Sequence, residues 1–451
     1  MTDLAREVRR LAFPAILHSL LQTLVFVVDR IMLGRHGDAS LAAMQIGGTF
    51  EWSIWSVFAA FEVGTIARIG RHVGAGKKEE ARQVAILSLV IAVAVGLVLT
   101  VLTPAVLALI PLSGAKMSPE AFAEARGYLG VTIAASPLVF LAAAATATLQ
   151  ASGDTRTPLA IGVVANLLHI GLNRVLILGA LGLPAMGARG AGISLALTFA
   201  LEGGLALLAL MRRDRPVSLR RATDEVSSIE RRDEVRELVR IGGPAFAERV
   251  LYHLGFMTYV LIVTRLGDDA MAANQSLISV ESICFLSADG FGVAAAALVA
   301  QKLGAGKPEE ARSAAFISTR YAMMTLTAFG IASLALRGVV LPLFSSNPDI
   351  VAIGTKTIPV LTVAQPFMAA GIVLAQSLRG AGRTRAALAV SATGAVVVRI
   401  GATWLFALAC GFGLVGVWMG STTDWIVRAI VLFVMHRRRH VHGEPLRGSA
   451  E

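Results

Sequence analysis

A nine-residue string occurs twice in this chain. Gly74–Arg82 reads GAGKKEEAR and Gly304–Arg312 reads GAGKPEEAR, 230 residues apart in a sequence of 451. A long apolar segment leads into each copy and another leaves it. Other pairs keep the spacing: Pro14-Ala15 with Pro244-Ala245, Gln45 with Gln275, Glu51 with Glu281. Gly153, Thr155 and Arg156 pair with Gly382, Thr384 and Arg385 at 229. Leu33-Gly34 pairs with Leu266-Gly267 at 233, which implies a three-residue insertion around Arg35 to Gly37. Self-similarity at a fixed offset marks a duplicated architecture. The chain is therefore read as two related halves: residues 1–211 and 241–440, a cytoplasmic linker over 212–240, and a polar tail over 441–451.

The medium follows from the apolar runs. A bilayer-crossing helix needs ~20 apolar residues. Twelve segments meet that length, near 11–34, 43–71, 84–110, 124–149, 158–180, 187–211, 241–266, 272–301, 313–342, 355–378, 386–409 and 413–436. Charged residues are 16% of the chain, where a soluble domain carries ~25%, and mean hydropathy is +0.69. The fold class expected is an all-α integral membrane protein with six spans in each half. Leu11 opens a span too long for a signal-peptide h-region, so no cleavable leader is expected.

Basic residues set the orientation. Arg6, Arg9 and Arg10 precede span 1, and Lys77, Lys78 and Arg82 join spans 2 and 3. Arg212, Arg213, Arg215, Arg220, Arg221, Arg231, Arg232 and Arg236 crowd the linker, and Arg437, Arg438 and Arg439 follow span 12. With twelve spans all of these fall on one side, which places both termini in the cytoplasm. An even six spans per half gives the halves the same sense in the membrane, as in transporters built from parallel repeats. The net charge of +11 is thus a topology signal, and no nucleic-acid module or partner is indicated. Cys284 and Cys410 lie far apart in apolar segments and are expected to act as small buried hydrophobes.

GAGKKEEAR has a local meaning. Gly74 and Gly76 can stop a helix, and Glu79 and Glu80 then favour the positive end of the next one. It is a tight helix–turn–helix. The Walker spacing is absent, as are H-E-x-x-H and G-x-S-x-G, so neither an ATP-driven pump nor an enzyme is expected.

Ionisable groups inside spans cost ~2.5–3.5 kcal/mol each on insertion scales and mark candidate sites. Asp29 near the outer end of span 1 reads either as an interface residue paired with Arg30 or as an ion site. Asn166, His169 and Asn173 recur at i, i+3, i+7 on one face of span 5, and helix rise gives Asn173 and Asp29 a common depth. His169 reads either as a satisfied internal hydrogen-bonding group or as part of that ion site. Glu51 and Glu281 recur in both halves, which favours a shared structural role, whereas Glu62 and Asp289 have no acidic counterpart. Glu248 in span 7 and Arg399 in span 11 are expected to face one cavity with Tyr252, His253 and Tyr259, joined by Gln45, Gln275 and Glu281.

Together, the paired loops at 73–82 and 303–312, the LQASGDTRTP loop at 149–158 and PAFAERVLYHLGF within 242–265 resemble the multidrug and toxic compound extrusion (MATE) transporters, notably the prokaryotic branches that include the DNA-damage-inducible type. The resemblance runs from Leu11 to Arg437. It implies two six-helix lobes alternating between outward and inward openings, and export of lipophilic or cationic organic compounds in exchange for inward H⁺ or Na⁺. It places the protein as a monomer in the lipid bilayer of a bacterial cytoplasmic membrane, with the coupling ion as the only cofactor. A lipid-linked or glycan flippase of the same wider superfamily is the alternative.

The family's first-helix acid matches Asp29, and its fifth-helix pattern of Asn, Asn, then Asp or Asn falls on Asn166, His169 and Asn173. Na⁺, as coupling ion, would sit at Asp29 and Asn173. The histidine and the missing second carboxylate remove hard oxygen ligands, which points to H⁺. Leu195 stands where the family has a sixth-helix Thr, with Thr198 close by, and span 10 offers Gln365 and Gln376 in place of an acid.

Overall fold

The structure is a computed structural model that describes residues 2–111, 118–220, 228–343 and 347–438. Its described residues are overwhelmingly helical. The helices are α1 (Thr2–His36), α2 (Asp38–Gly74), α3 (Lys78–Leu109), α4 (Pro119–Ala134), α5 (Ser136–Ala151), α6 (Arg156–Leu176), α7 (Gly187–Leu210) and α8 (Ser228–Thr264). They continue with α9 (Asp268–Gly304), α10 (Pro308–Ala335), the short α11 (Arg337–Val340), α12 (Pro348–Gly380), α13 (Thr384–Ala392), α14 (Arg399–Thr403) and α15 (Gly413–Arg437). Among the described residues, eight helical runs are long and apolar enough to cross a membrane, and the α4–α5 pair, bent by 52°, makes a ninth when counted as one broken span. With α1, α2 and α10 the described helices group into twelve. Their outer faces carry large apolar side chains open to the surroundings, such as Val90, Leu97, Val98 and Val101 along α3. A water-facing helix would carry polar groups there.

The chain forms two compact units, His18–Leu238 and Met1–Leu17 with Val239–Glu451. The leading turns of α1 therefore belong with the second half, where Lys302 Nζ binds Glu7 at 3.0 Å. The leading turns of α8 belong with the first half, where Glu234 pairs with Arg68 and lies 3.6 Å from His72. Each unit thus takes its entry segment from the helix that begins the other half. The first part of the linker folds back as turns: Leu219 N donates to the Leu210 carbonyl at 2.8 Å, and Arg215 pairs with Asp154 and donates to Thr157 Oγ1 at 3.0 Å. Arg221 and Arg231, named above in the linker, and Arg439 with the tail over 441–451 fall outside the described side chains.

The duplicated turns have one geometry. Gly76 N donates to the Val73 carbonyl at 3.1 Å and Lys77 N to the His72 carbonyl at 2.9 Å, closing the last turn of α2. Gly306 and Lys307 repeat this at 3.1 and 2.9 Å, and Gly153–Asp154 and Gly382–Arg383 repeat it again at the ends of α5 and α12. All four glycines have positive φ, +73°, +71°, +88° and +78° respectively. This is the left-handed helix stop, which glycine adopts without Cβ strain. Gly74 remains helical, so Gly76 alone makes the stop. The expected insertion around Arg35 is absent: α2 and α9 begin at Asp38 and Asp268, 230 apart, each after a glycine. The Leu-Gly match was a coincidence of composition, because Leu33 lies inside α1.

The halves differ where the same residue type meets different neighbours. Pro137 lies at the break between α4 and α5, and the α3 backbone comes so close that a Cβ on Gly96 would sit 2.5 Å from Pro137 Cα. Pro366, at the matching place, lies inside the continuous α12, which packs against α9, α10 and α15. Two π-helical segments, Thr393–Val398 and Trp404–Ala409, flank α14. Cys284 is buried, but Cys410 is exposed, because it falls in the turn after the second π segment rather than within the span.

Candidate functional site

In the unit His18–Leu238, three apolar helices turn polar groups onto one point. α1 supplies Asp29, α6 supplies His169 and Asn173, and α7 supplies Ser194 and Thr198; none is more than 4% exposed. Asn173 Nδ2 donates to Asp29 Oδ1 at 2.5 Å, and His169 Nε2 lies 2.6 Å from the same oxygen. The other imidazole nitrogen, Nδ1, lies 3.2 Å from both Thr198 Oγ1 and Ser194 Oγ. Asp29 Oδ2 and Asn173 Oδ1 are buried and have no hydrogen-bond partner among the described residues. Asp29 therefore points inward to α6, and Arg30 on the next position is exposed.

The i, i+3, i+7 face is only partly used. His169 and Asn173, one turn apart, converge on Asp29, whereas Asn166 Nδ2 donates to the Gly162 carbonyl at 2.8 Å. Ser194 was not singled out from the sequence. A signal existed, since Ser194 and Thr198 stand one turn apart in the apolar stretch of α7 between Arg189 and Glu202, where small polar residues mark helix–helix contacts. Thr198, rather than a residue at Leu195, brings the hydroxyl to the imidazole.

Close to this cluster, Tyr128 Oη donates to Glu51 Oε2 at 3.4 Å. Glu51 also lines a cavity of about 30 Å³ with Trp55, Thr132, Ser136, Phe140 and Leu195, room for about one water. His18 and Glu202 form a further buried pair at 3.5 Å.

The second unit, Met1–Leu17 with Val239–Glu451, holds a different kind of cluster. Arg399 Nε donates to Asp424 Oδ2 at 2.9 Å, and Arg428 donates to both oxygens of Asp424 at 2.5 Å. Both guanidinium groups lie over the Trp425 ring, at 5.4 and 4.8 Å. Planar guanidinium favours such stacked, buried pairing. Asp424 and Arg428 were missed in the sequence, although an acid and an arginine one turn apart inside an apolar run are a signal.

Glu248 and Arg399, expected to face one cavity, take different partners. Glu248 is taken by Arg379, whose Nε donates to Oε2 at 3.2 Å with a second bond from Nη2 to Oε1. Arg379 ends α12 near the loop and meets Glu248 at that depth, while Arg399 lies mid-span beside Asp424. Tyr259 Oη donates to Asn274 Oδ1 at 3.0 Å, and Trp418 Nε1 donates to the same oxygen at 3.1 Å. Tyr252 packs edge-on to His253 at 6.1 Å, Glu281 is half-buried, and Gln275 is exposed. Gln376 Nε2 donates to Asp289 Oδ1 at 3.0 Å, which gives that acid a structural partner. The side chain of Gln45 lies outside the described residues.

The two clusters occupy matching places. His169, Ser194 and Thr198 correspond at an offset of 230 to Arg399, Asp424 and Arg428, and Asp29 corresponds to Tyr259. One half thus carries a carboxylate, an imidazole and hydroxyls, and the other carries two arginines around one carboxylate.

The MatE family profile matches residues 14–175 and 244–405. A probable multidrug resistance protein NorM from Thermotoga maritima is 26% identical over 427 residues, covering 95% of this chain and 91% of the relative. A second probable NorM, from Bradyrhizobium diazoefficiens, is 28% identical over 447 residues, covering 96% and 92%. Among solved structures, an outward-facing multidrug resistance MATE family transporter of the MOP superfamily superposes with a TM-score of 0.88 at 23% identity, covering 96% of this chain and 95% of that one.

Proposed function

The chain belongs to the MatE family, and from that premise we propose that it is a secondary antiporter exporting lipophilic or cationic organic compounds in exchange for inward protons. It is a multi-pass membrane transporter of the bacterial NorM type, and not an enzyme. The observation that carries the coupling assignment is Asp29, 1% exposed and held by His169 and Asn173 on a neighbouring helix. A buried carboxylate must be neutralised by a proton, a cation or a charged neighbour. A hard cation such as Na⁺ favours several oxygen ligands, whereas here an imidazole nitrogen and an amide nitrogen occupy one carboxylate oxygen. That donor set favours H⁺.

In this reading, proton entry at the cluster changes the contact between α1 and α6, and cargo and proton use alternate conformations of the same unit. Only interactions that differ between the two conformations can drive the exchange. Both termini lie in the cytoplasm, as the basic loops require, and the working unit is the monomer. The flippase reading draws less support from the second unit, because Arg399 and Arg428 both bond Asp424 there.

The test is reconstitution of the purified chain in vesicles, with one gradient imposed at a time and efflux of a cationic dye as readout. A pH gradient is expected to drive efflux by the wild type and not by Asp29→Asn. Efflux driven equally by Na⁺ alone, or proton-driven efflux surviving in Asp29→Asn, would remove the assignment.

A further inference from the structure

We propose that the coupling proton is carried on the imidazole of His169, that Asp29 stays ionised as its counter-charge, and that Ser194 is the positioning residue whose hydroxyl turns to satisfy either state. This rests on the reading of the Asp29 cluster as the coupling site.

The hydrogen count around the imidazole carries the argument. Thr198 Oγ1 donates its hydrogen to the Ser194 carbonyl at 2.7 Å, so toward Nδ1 it can only accept. Ser194 Oγ stands 3.2 Å from His169 Nδ1 and 3.3 Å from the His169 carbonyl, with one hydrogen for two acceptors. At the far side, Nε2 and Asp29 Oδ1 are 2.6 Å apart, which requires a hydrogen between them, and Asn173 Nδ2, 3.0 Å from Nε2, donates to the same Oδ1 rather than to the ring.

Two states then give every one of these hydrogens an acceptor. In the unloaded state Nε2–H donates to the Asp29 carboxylate, and bare Nδ1 accepts from the Ser194 hydroxyl. On loading, one proton joins Nδ1, Nδ1–H donates to Thr198 Oγ1, and the Ser194 hydroxyl turns to the His169 carbonyl. No covalent bond other than the new N–H forms, and the charge of the pair changes from −1 to 0. The two acceptors of Ser194 are equidistant within 0.1 Å, so the turn needs no backbone movement.

The repeat supports a cation at this place independently. Arg399 holds the matching position in the other half and is ionised at all relevant pH, with its counter-charge Asp424 at the position of Ser194. His169 is the version of that cation which can discharge.

Other charged groups near the pair are placed as follows. Glu51 on α2 and Tyr128 on α4 act on Asp29 through space and bond each other. Arg30 follows Asp29 on α1, Arg174 follows Asn173 on α6, and Glu202 on α7 pairs with His18 on α1. None of these bonds the imidazole among the described residues.

The test is the pH dependence of proton-driven dye efflux by the reconstituted full chain. Ser194→Ala removes the hydrogen that satisfies bare Nδ1 and is expected to move the midpoint up by about one pH unit. Thr198→Val removes the acceptor for Nδ1–H and is expected to move it down by about one pH unit. A purely structural role would not displace the midpoint in opposite directions.

Should either variant fail to fold, ¹⁵N NMR of the wild-type chain labelled at histidine decides the matter. His169 is expected to pass from a neutral ring protonated at Nε2 to an imidazolium across the efflux midpoint. Midpoints that do not move apart, or a neutral His169 throughout with a protonated-carboxyl infrared band titrating instead and lost in Asp29→Asn, would overturn the proposal. Loss of efflux in Asp29→Asn alongside those results would leave the coupling site intact and refute only the placement of the proton. Full proton-driven efflux in Asp29→Asn would refute the coupling site itself.

Discussion

Asp29 and Asn173 stand 144 positions apart in the chain, and the amide of one donates to the carboxylate of the other at 2.5 Å. The contact joins the far end of α1 to the far end of α6. Its remaining oxygens, Asp29 Oδ2 and Asn173 Oδ1, are both buried and unpartnered among the described residues. The site is one substitution away from a set of hard oxygen donors.

Asn173→Asp should therefore change the coupling ion. A second carboxylate beside Asp29 adds the charge and oxygen that Na⁺ requires. Efflux by this variant is expected to become stimulated by an imposed Na⁺ gradient, at least tenfold above any Na⁺ response of the wild type. Dye efflux measured with Na⁺ as the only gradient checks this, and an unchanged response would show that ligand geometry rather than charge excludes the ion.

Asp424→Asn should unfold the second unit more readily. It leaves Arg399 and Arg428 buried without the carboxylate that bonds them both. Removing one partner of a buried ion pair costs about 3–5 kcal/mol. The midpoint of thermal unfolding in detergent is expected to fall by many degrees, whereas Arg428→Met, which leaves the Arg399–Asp424 pair in place, should cost less. Equal losses in the two variants would mean that packing against Trp425, not charge, holds the cluster.

The duplicated turns should respond to alanine at one glycine and not at its neighbour. Gly76 and Gly306 have φ of +73° and +71°, where an L residue is strained by about 1–2 kcal/mol. Gly74 is the last residue of α2 and helical. Gly76→Ala and Gly306→Ala are expected to lower unfolding midpoints alike, and Gly74→Ala to leave the midpoint unchanged or slightly raised. A thermal series on the three single variants reads this directly.

The sequence by itself determined the duplication, the membrane medium and the turns. Each of these rests on local chemistry: a run of apolar residues has one stable environment, and a glycine before K-x-E-E-A-R stops one helix and lets the next begin. It also placed Asp29, His169 and Asn173 together, because helix rise and the three-to-four residue period fix depth and face within a span.

Which spans touch was decided only by the tertiary structure. The partner of Glu248 is Arg379 and not Arg399, and the hydroxyls that meet His169 come from Ser194 and Thr198. Depth along a helix can be counted from a sequence, but rotation and neighbour choice depend on how side chains of different helices interlock. The same limit explains why the cluster at Asp424 and Arg428 passed unnoticed: these two pair within one helix, and only the tertiary structure brings Arg399, 25 positions before Asp424, against the same carboxylate.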